Sequence, residues 1–257
     1  MSFPDLLRRF ERKGDALHLE SIEGWMQGRT LYGGATTLLG YWAVTQLHPG
    51  MPPLRSAQVN FIAPVAGPVV ARAQILREGR NVIQIASRIE SAGVLAHAAT
   101  WLFGREAENP NAIHPAARLD VAGGPEGGKL LTPGADWPEF LHQLETRKVN
   151  MGRDYIGIRR WTRLRDRDGL DPVAELVGIA DALPPGSTKA MQRPGPLSSI
   201  SWAFNLIEPQ PTTRDGWWLI ENASEFAAHG YSGERLRLWN SDGQLMLTGM
   251  QSVAIFG

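Results

Sequence analysis

The chain carries the same ordered set of phrases in each half, and a repeat of this kind favours two copies of one unit over one large domain. In the first half, Leu39-Gly40-Tyr41-Trp42-Ala43 in an apolar helical stretch precedes Phe61-Ile62-Ala63-Pro64, then Ser91-Ala92-Gly93-Val94-Leu95 and Leu102-Phe103-Gly104. In the second, Val177-Gly178-Ile179-Ala180-Asp181 precedes Leu206-Ile207-Glu208-Pro209, then Ser241-Asp242-Gly243-Gln244-Leu245 and Ile255-Phe256-Gly257. The copies differ in chemistry. Where the first has Ala43 and Trp101, the second has Asp181 and Gln251, so groups able to act on a substrate are expected in the second copy.

Each copy reads as a helix followed by an antiparallel meander. From Gly34 to Leu47 the chain is apolar around nearly its whole circumference, which describes a buried helix that Pro49-Gly50 ends. Period-two alternation follows. Val69, Ala71, Ala73 and Ile75 share one face of a strand, and Ile83, Ile85, Ser87 and Ile89 share one face of the next, joined through Glu78-Gly79-Arg80-Asn81. A third strand runs from Val94 to Phe103. In the second copy a strand over Tyr155 to Trp161 leads to a helix capped by Asp171, with Pro172 at its first position, spanning Val173 to about Leu183. Strands recur at Ser199 to Leu206, Trp217 to Ala223, Glu234 to Trp239 and Leu245 to Ile255, with Asn240-Ser241-Asp242-Gly243 as a tight turn before the last. A central helix lying across each sheet covers its apolar face. Between the copies, from about Arg105 to Arg147, Pro and Gly interrupt any period, so this is a linker with a short helix around Trp137 to Leu144. The expected division is a unit over 1–110, a linker over 111–148 and a second unit over 149–257.

Composition narrows the function. Lys+Arg and Asp+Glu are both 26, so no summed field draws a nucleic acid or an anionic membrane surface to the protein. Cysteine is absent, which removes disulfides, thiolate nucleophiles and cysteine zinc sites and fits a reducing cytoplasm. The charged N-terminal stretch offers no signal-peptide core, and no apolar run approaches the roughly 20 residues a bilayer requires, so no membrane insertion is expected. The six histidines lack ligand spacing, and no metal or cofactor is expected. Among them, His97 between alanines reads as a packed strand residue, and His229 beside Gly230 in a loop is the weaker candidate for a place near a ligand. There is no G-x-S-x-G nucleophile elbow and no phosphate loop. The nine tryptophans read as large core plugs or as an apolar tunnel, with core the plainer reading.

A buried helix wrapped by an antiparallel sheet, duplicated in tandem, resembles the double hot-dog acyl-CoA thioesterases of the bacterial thioesterase II type, an α+β fold. The phrases that carry the resemblance are Ala180-Asp181-Ala182-Leu183-Pro184-Pro185, Arg77-Glu78-Gly79-Arg80-Asn81-Val82, Pro196-Leu197-Ser198-Ser199 and Thr248-Gly249-Met250-Gln251. The resemblance covers roughly Gly28 to Gly257 apart from the linker. It implies that an aspartate, a hydroxyl residue at the start of the following strand and a glutamine in the final strand hold and activate a water. Asp181 matches the aspartate and Gln251 the glutamine. The family's threonine falls at Leu197-Ser198-Ser199, so serine replaces it; Ser199 is the first choice and Ser198 the alternative in register. The resemblance also implies an acyl-CoA substrate and a homodimer of double hot-dog units.

The chemistry suits these residue types. Sulfur donates poorly into a thioester carbonyl, so hydrolysis needs a positioned water, a base and a polarised oxygen, with no covalent nucleophile. A partly desolvated carboxylate is a better base near neutral pH, and a serine hydroxyl donates and accepts as a threonine does. Gly33-Gly34 opens the first helix without side chains to block an approaching ligand, which suits oxyanion or phosphopantetheine contact; tight packing against the sheet is the plainer alternative. Asp181 and Gln251 also have plain readings, as a helix-end carboxylate and a strand amide facing solvent. Two other functions use the same scaffold. One is non-hydrolytic binding of acyl thioesters, with serine marking lost activity. The other is a hydratase or dehydratase, which requires a histidine near Asp181 that the sequence does not place there.

Overall fold

The computed structural model describes residues 1–152 and 154–256. In the first half the long helix is α2, Gly33–Leu47, and four strands follow it: β5 (Leu54–Phe61), β6 (Val69–Glu78), β7 (Val82–Ser91) and β8 (Val94–Gly104). In the second half α3 (Pro172–Ile179) is followed by β12 (Leu197–Leu206), β13 (Trp218–Ala228), β14 (Tyr231–Trp239) and β15 (Leu245–Ile255). Two flanking strands complete the correspondence, β2 (Ala16–Leu19) beside β6 and β11 (Gly157–Leu164) beside β13. Outside them lie β1 (Glu11–Lys13) at one edge and β10 (Leu144–Lys148) and β9 (Lys129–Leu131) at the other. The result is one 13-stranded sheet in the order β1-β2-β6-β7-β8-β5-β12-β15-β14-β13-β11-β10-β9. A two-stranded ribbon of β3 (Met26–Gln27) and β4 (Thr30–Leu31) and a short helix, α1 (Phe3–Arg8), stand before α2.

The two copies meet at β5 and β12, which pair antiparallel from Ser56↔Asn205 to Asn60↔Ser201. About this seam the ladders correspond: Ala57 faces Trp101 in the first copy and Trp202 faces Gln251 in the second. The amide at Gln251 therefore occupies the place of an indole.

Helix α2 has no polar face, and buried residues run from Gly34 to Val44 with only Trp42 partly exposed. Such a helix has to be enclosed on all sides. It packs against β6, β7 and β8 and against α3. Glycines permit the close approaches: a Cβ at Gly178 would collide with Phe3, and one at Gly40 would stand 3.2 Å from His97 Cε1. A single apolar core links the halves, with Trp25, Trp101, Trp202 and Trp218 inside it. A smaller cluster of Trp161, Trp217 and Trp239 lies apart, with Arg147, Arg159 and Arg163 stacked over its rings.

Three local expectations change and one tight turn is found where expected. The second helix ends at Ile179 with Ala180 as C-cap, and does not reach Leu183. Pro184 explains this, because its ring clashes with the carbonyl of Ala180 in a continuing helix and it disfavours helical backbone at Leu183. The segment around Trp137 to Leu144 forms a 3-10 turn over Glu139–Gln143, and the linker region contributes β9 and β10 to the sheet edge. Asn240 to Gly243 forms the expected tight turn between β14 and β15: Gly243 N–H donates to Asn240 O at 3.0 Å, Gly243 takes the positive φ, and Asn240 Oδ1 accepts from Asp242 and Gln244 N–H. Two-residue turns with both residues in the left-handed region occur at Ala92-Gly93 and at His229-Gly230. His229 thus sits exposed at a hairpin tip.

Candidate active site

The early stop of α3 leaves Asp181 on a turn directly beyond the helix, facing the start of α2. In the first copy the helix continues through the corresponding Ala43, which is fully buried. A carboxylate beyond a helix C-terminus gains nothing from that helix's dipole, whereas the N-terminus of α2 favours it. The backbone N–H of Gly34 faces the carboxyl. Gly33 closes the other side: a Cβ there would collide with Asp181 Oδ2 and stand 3.4 Å from the Phe61 ring. A Cβ at Gly34 would collide with Gly178 O and Tyr32 Oη. Both glycines are therefore required by contact, and both border the carboxyl.

Gln251 reaches Asp181 from β15. Its Nε2 donates to Asp181 Oδ1 at 2.9 Å and to Ser199 Oγ at 2.8 Å. Because a carboxylate only accepts, this amide orientation is the one the neighbours demand, and both amide hydrogens are committed. Ser199 Oγ accepts from the amide, so its own hydrogen remains free to donate. Gln251 is itself buried, at 3% exposure.

A β-bulge decides which serine takes part. On β12 the inward residues Trp202, Phe204 and Leu206 are even-numbered, and unbroken alternation would turn Ser198 inward. The register shifts between Ser199 and Ser201, with Ile200 as the extra residue, so Ser199 faces Val253 on the inner side and Ser198 is exposed on the outer. The structure brings together Asp181, Ser199, Gln251, Gly33 and Gly34, and leaves Ser198 out.

Desolvation is the dominant force on Asp181. The residue keeps partial exposure, but its carboxyl is enclosed closely enough that its pKa rises from 3.8 to about 7, even though Gln251 and the Gly34 N–H favour the charged form. Tyr32, which precedes α2 at 1% exposure, is held neutral, its pKa raised by desolvation and then by the charge of Asp181. It belongs to a stack of aromatic rings with Trp25 and Phe140.

Sequence reasoning did not find Glu234. This residue stands directly opposite Gln251 on β14 and is fully buried. It accepts from Gly186 N–H at 2.8 Å and Ser232 Oγ at 2.7 Å, and Ser232 Oγ meets Ser187 Oγ at 3.0 Å. Glu234 thereby anchors the chain just after Asp181 to the strand beside Gln251. The signal was present: Ser232 and Glu234 occupy the same alternating face as Leu236 and Leu238, and a carboxylate on an apolar face needs a reason. His97 is packed, as its alanine neighbours predict, and is fully buried. It lies on the inner face of β8 directly opposite Phe61, whose ring separates it from the Gly33 and Asp181 corner.

Among the described residues no group of His, Cys, Asp and Glu has an arrangement that could hold a metal ion, and no helix is long and apolar enough to cross a membrane.

Comparison with known proteins gives this geometry a family. The model for the acyl-CoA thioesterase N-terminal domain matches residues 21–104, and that for the acyl-CoA thioesterase C-terminal domain matches residues 118–255. No curated protein matches the chain. Among solved structures, a conserved protein of unknown function with a hot dog fold from Alicyclobacillus acidocaldarius is similar at TM-score 0.86 and 20% identity, covering 98% of this chain and 97% of that one. A tesB protein from Mycobacterium avium subspecies paratuberculosis has TM-score 0.82 and 17% identity, with full coverage of both chains (100% each). The acyl-CoA thioesterase II TesB2 from Mycobacterium marinum has TM-score 0.78 and 16% identity, covering 98% of this chain and 97% of that one. At these identities the structural likeness speaks for the fold. The family follows from the domain models, which together span both copies: the chain belongs to the acyl-CoA thioesterase family and is built as a double hot-dog.

Proposed function

We propose that this protein hydrolyses an acyl-CoA thioester to the free acid and CoA, with Asp181 as the general base. The observation that carries this reading is the single amide of Gln251 donating to both Asp181 and Ser199. Water bound at this corner loses a proton to the Asp181 carboxylate as its oxygen attacks the thioester carbonyl. The tetrahedral intermediate then expels the CoA thiolate, which takes up a proton. Ser199 orients the water through its free hydroxyl hydrogen or its remaining lone pair, and Gln251 fixes base and hydroxyl relative to each other. General-base assistance supplies about 10²–10⁴-fold, and the remainder comes from orientation and from stabilising the carbonyl oxygen, for which the N–H groups at the start of α2 are the nearest positive dipole end.

A base with a pKa near 7 is matched to neutral conditions, where a carboxylate with an ordinary pKa would be a weaker proton acceptor. The same reading makes the protein a cytoplasmic enzyme of lipid metabolism that works as a homodimer of double hot-dog units, in keeping with its lack of cysteine and its open sheet edges at β1 and β9. The test is release of free CoA from acyl-CoAs of graded chain length, followed with a thiol-trapping dye. Turnover on at least one chain length supports hydrolysis. Tight acyl-CoA binding without thiol release on any of them replaces it with the non-hydrolytic binding function.

A further inference from the structure

His97 is fully buried, and neither Nδ1 nor Nε2 has a hydrogen-bond partner in the protein. Leaving a buried polar group unpaired costs on the order of 1–3 kcal/mol, and folded proteins do so rarely enough that each case calls for a cause. Packing does not supply one here. The ring meets the edge of Phe61 at 5.7 Å between centroids, and room for it exists because the overlying helix position is Gly40. Ser87 Oγ, which faces Gly40 on the same side as the imidazole, accepts from Trp101 Nε1 at 2.8 Å and is not bonded to the ring.

Position turns this cost into a functional argument. The β5–β12 ladder ends at Asn60↔Ser201, and the next inward residues are Phe61 on β5 and, past the bulge, Ser199 on β12. His97 is paired with Phe61 from the far side. Ser199, Phe61 and His97 thus form one row across three neighbouring strands. At about 4.8 Å per strand, His97 lies roughly 10 Å from Ser199. Phe61 is the only residue of this row between them, it is partly exposed, and its ring also borders Gly33 beside the Asp181 carboxyl. An acyl chain whose carbonyl is held at Ser199 and Asp181 and which runs along this row passes Phe61 and ends against His97.

We propose that His97 is a specificity-determining residue that recognises a hydroxyl group carried on the acyl chain, several carbons beyond the thioester. This deepens the hydrolase reading and rests on it. Burial holds the imidazole neutral, with its pKa lowered to about 3, so it offers one N–H donor and one nitrogen acceptor. A hydroxyl pairs with whichever ring nitrogen it meets in either tautomer, because it accepts from the protonated nitrogen and donates to the bare one. A carboxylate finds a single donor and faces a lone pair, and an unsubstituted alkyl chain leaves both nitrogens unpaired. A site built to bond a substrate hydroxyl discriminates strongly against the analogue that lacks it.

The experiment compares kcat/KM for chain-matched acyl-CoAs with no substituent and with a hydroxyl at each successive carbon, using the wild type, His97→Leu and His97→Gln. The wild type should favour the hydroxylated chain by at least about 10-fold at one position. His97→Leu should abolish that preference, and His97→Gln should retain part of it. An absence of preference at every position in the wild type, which requires no variant to fold, overturns the proposal, as does a preference that persists in His97→Leu. The same ratios measured as equilibrium binding to Asp181→Asn separate the two claims. If no substrate is turned over yet the binding preference is present and depends on His97, hydrolysis fails and this recognition stands; if turnover occurs without any preference, only the recognition fails.

Discussion

Gln251 Nε2 lies 2.9 Å from Asp181 Oδ1 across 70 residues of sequence, and the same nitrogen lies 2.8 Å from Ser199 Oγ. One buried amide thus ties a strand, a bulge and a helix-end turn into a single corner. If catalysis depends on that geometry, Gln251→Leu, which keeps the volume and removes both donors, should lower kcat by about 10²-fold or more. Ser199→Thr should retain activity, since it keeps the hydroxyl, whereas Ser199→Ala should lose at least about 10-fold. Ser198→Ala should behave as wild type, because its side chain is on the outer face. Steady-state kinetics on this set checks the assignment of the serine.

The pH profile follows from the state of the base. Asp181 must be ionised to accept a proton, and its pKa is raised to about 7 by desolvation. Accordingly, kcat/KM should rise with pH through a midpoint near 7 and level off above it. A profile already flat from pH 5 upwards would mean that the carboxyl titrates as an ordinary one or that it is not the base.

The same shift has a consequence for stability. The folded pKa is higher than the unfolded value of 3.8, so the native state binds this proton more tightly. Its stabilising contribution is complete below about pH 4 and is lost as pH rises toward 7, a difference of up to about 4 kcal/mol at 1.36 kcal/mol per unit. Asp181→Asn cannot titrate. Relative to wild type, it should therefore be more stable at pH 8.5 than at pH 4.5, which paired thermal melts at those two values would show as a difference that grows with pH.

Gly33→Ala places a methyl group against Asp181 Oδ2 and the Phe61 ring. The carboxyl has to move to accommodate it, which breaks its contact with Gln251. This variant should lose about 10²-fold or more in kcat while remaining folded, since the collision is with a side chain at the surface of the core and not with backbone. Circular dichroism alongside kinetics would check both halves of that statement.

Much of the architecture can be read in the chain because the repeat repeats physics. Two apolar helices, each followed by alternating strands, have few ways to bury their surfaces, and the correspondence of Trp101 with Gln251 reappears as matching ladder positions about the β5–β12 seam. What escapes the sequence is decided by tertiary contact. No local pattern announces that Ile200 is looped into a bulge, yet that one residue selects Ser199 over Ser198. The end of the second helix is legible in Pro184, but the helix stops at Ile179 and not at the proline itself, since proline acts back to the carbonyl four residues earlier. His97 and Phe61 are 36 residues apart and meet only because β5 crosses to pair with β8, so linear spacing gives no hint that a histidine shares a row with the catalytic corner.

The most direct test is to compare free CoA release by wild type and Asp181→Asn on the acyl-CoA the wild type turns over best. The variant should bind that substrate with similar affinity, remain folded and release CoA at least about 10²-fold more slowly. Release at the wild-type rate by a folded Asp181→Asn protein would contradict the claim that this carboxylate activates the water.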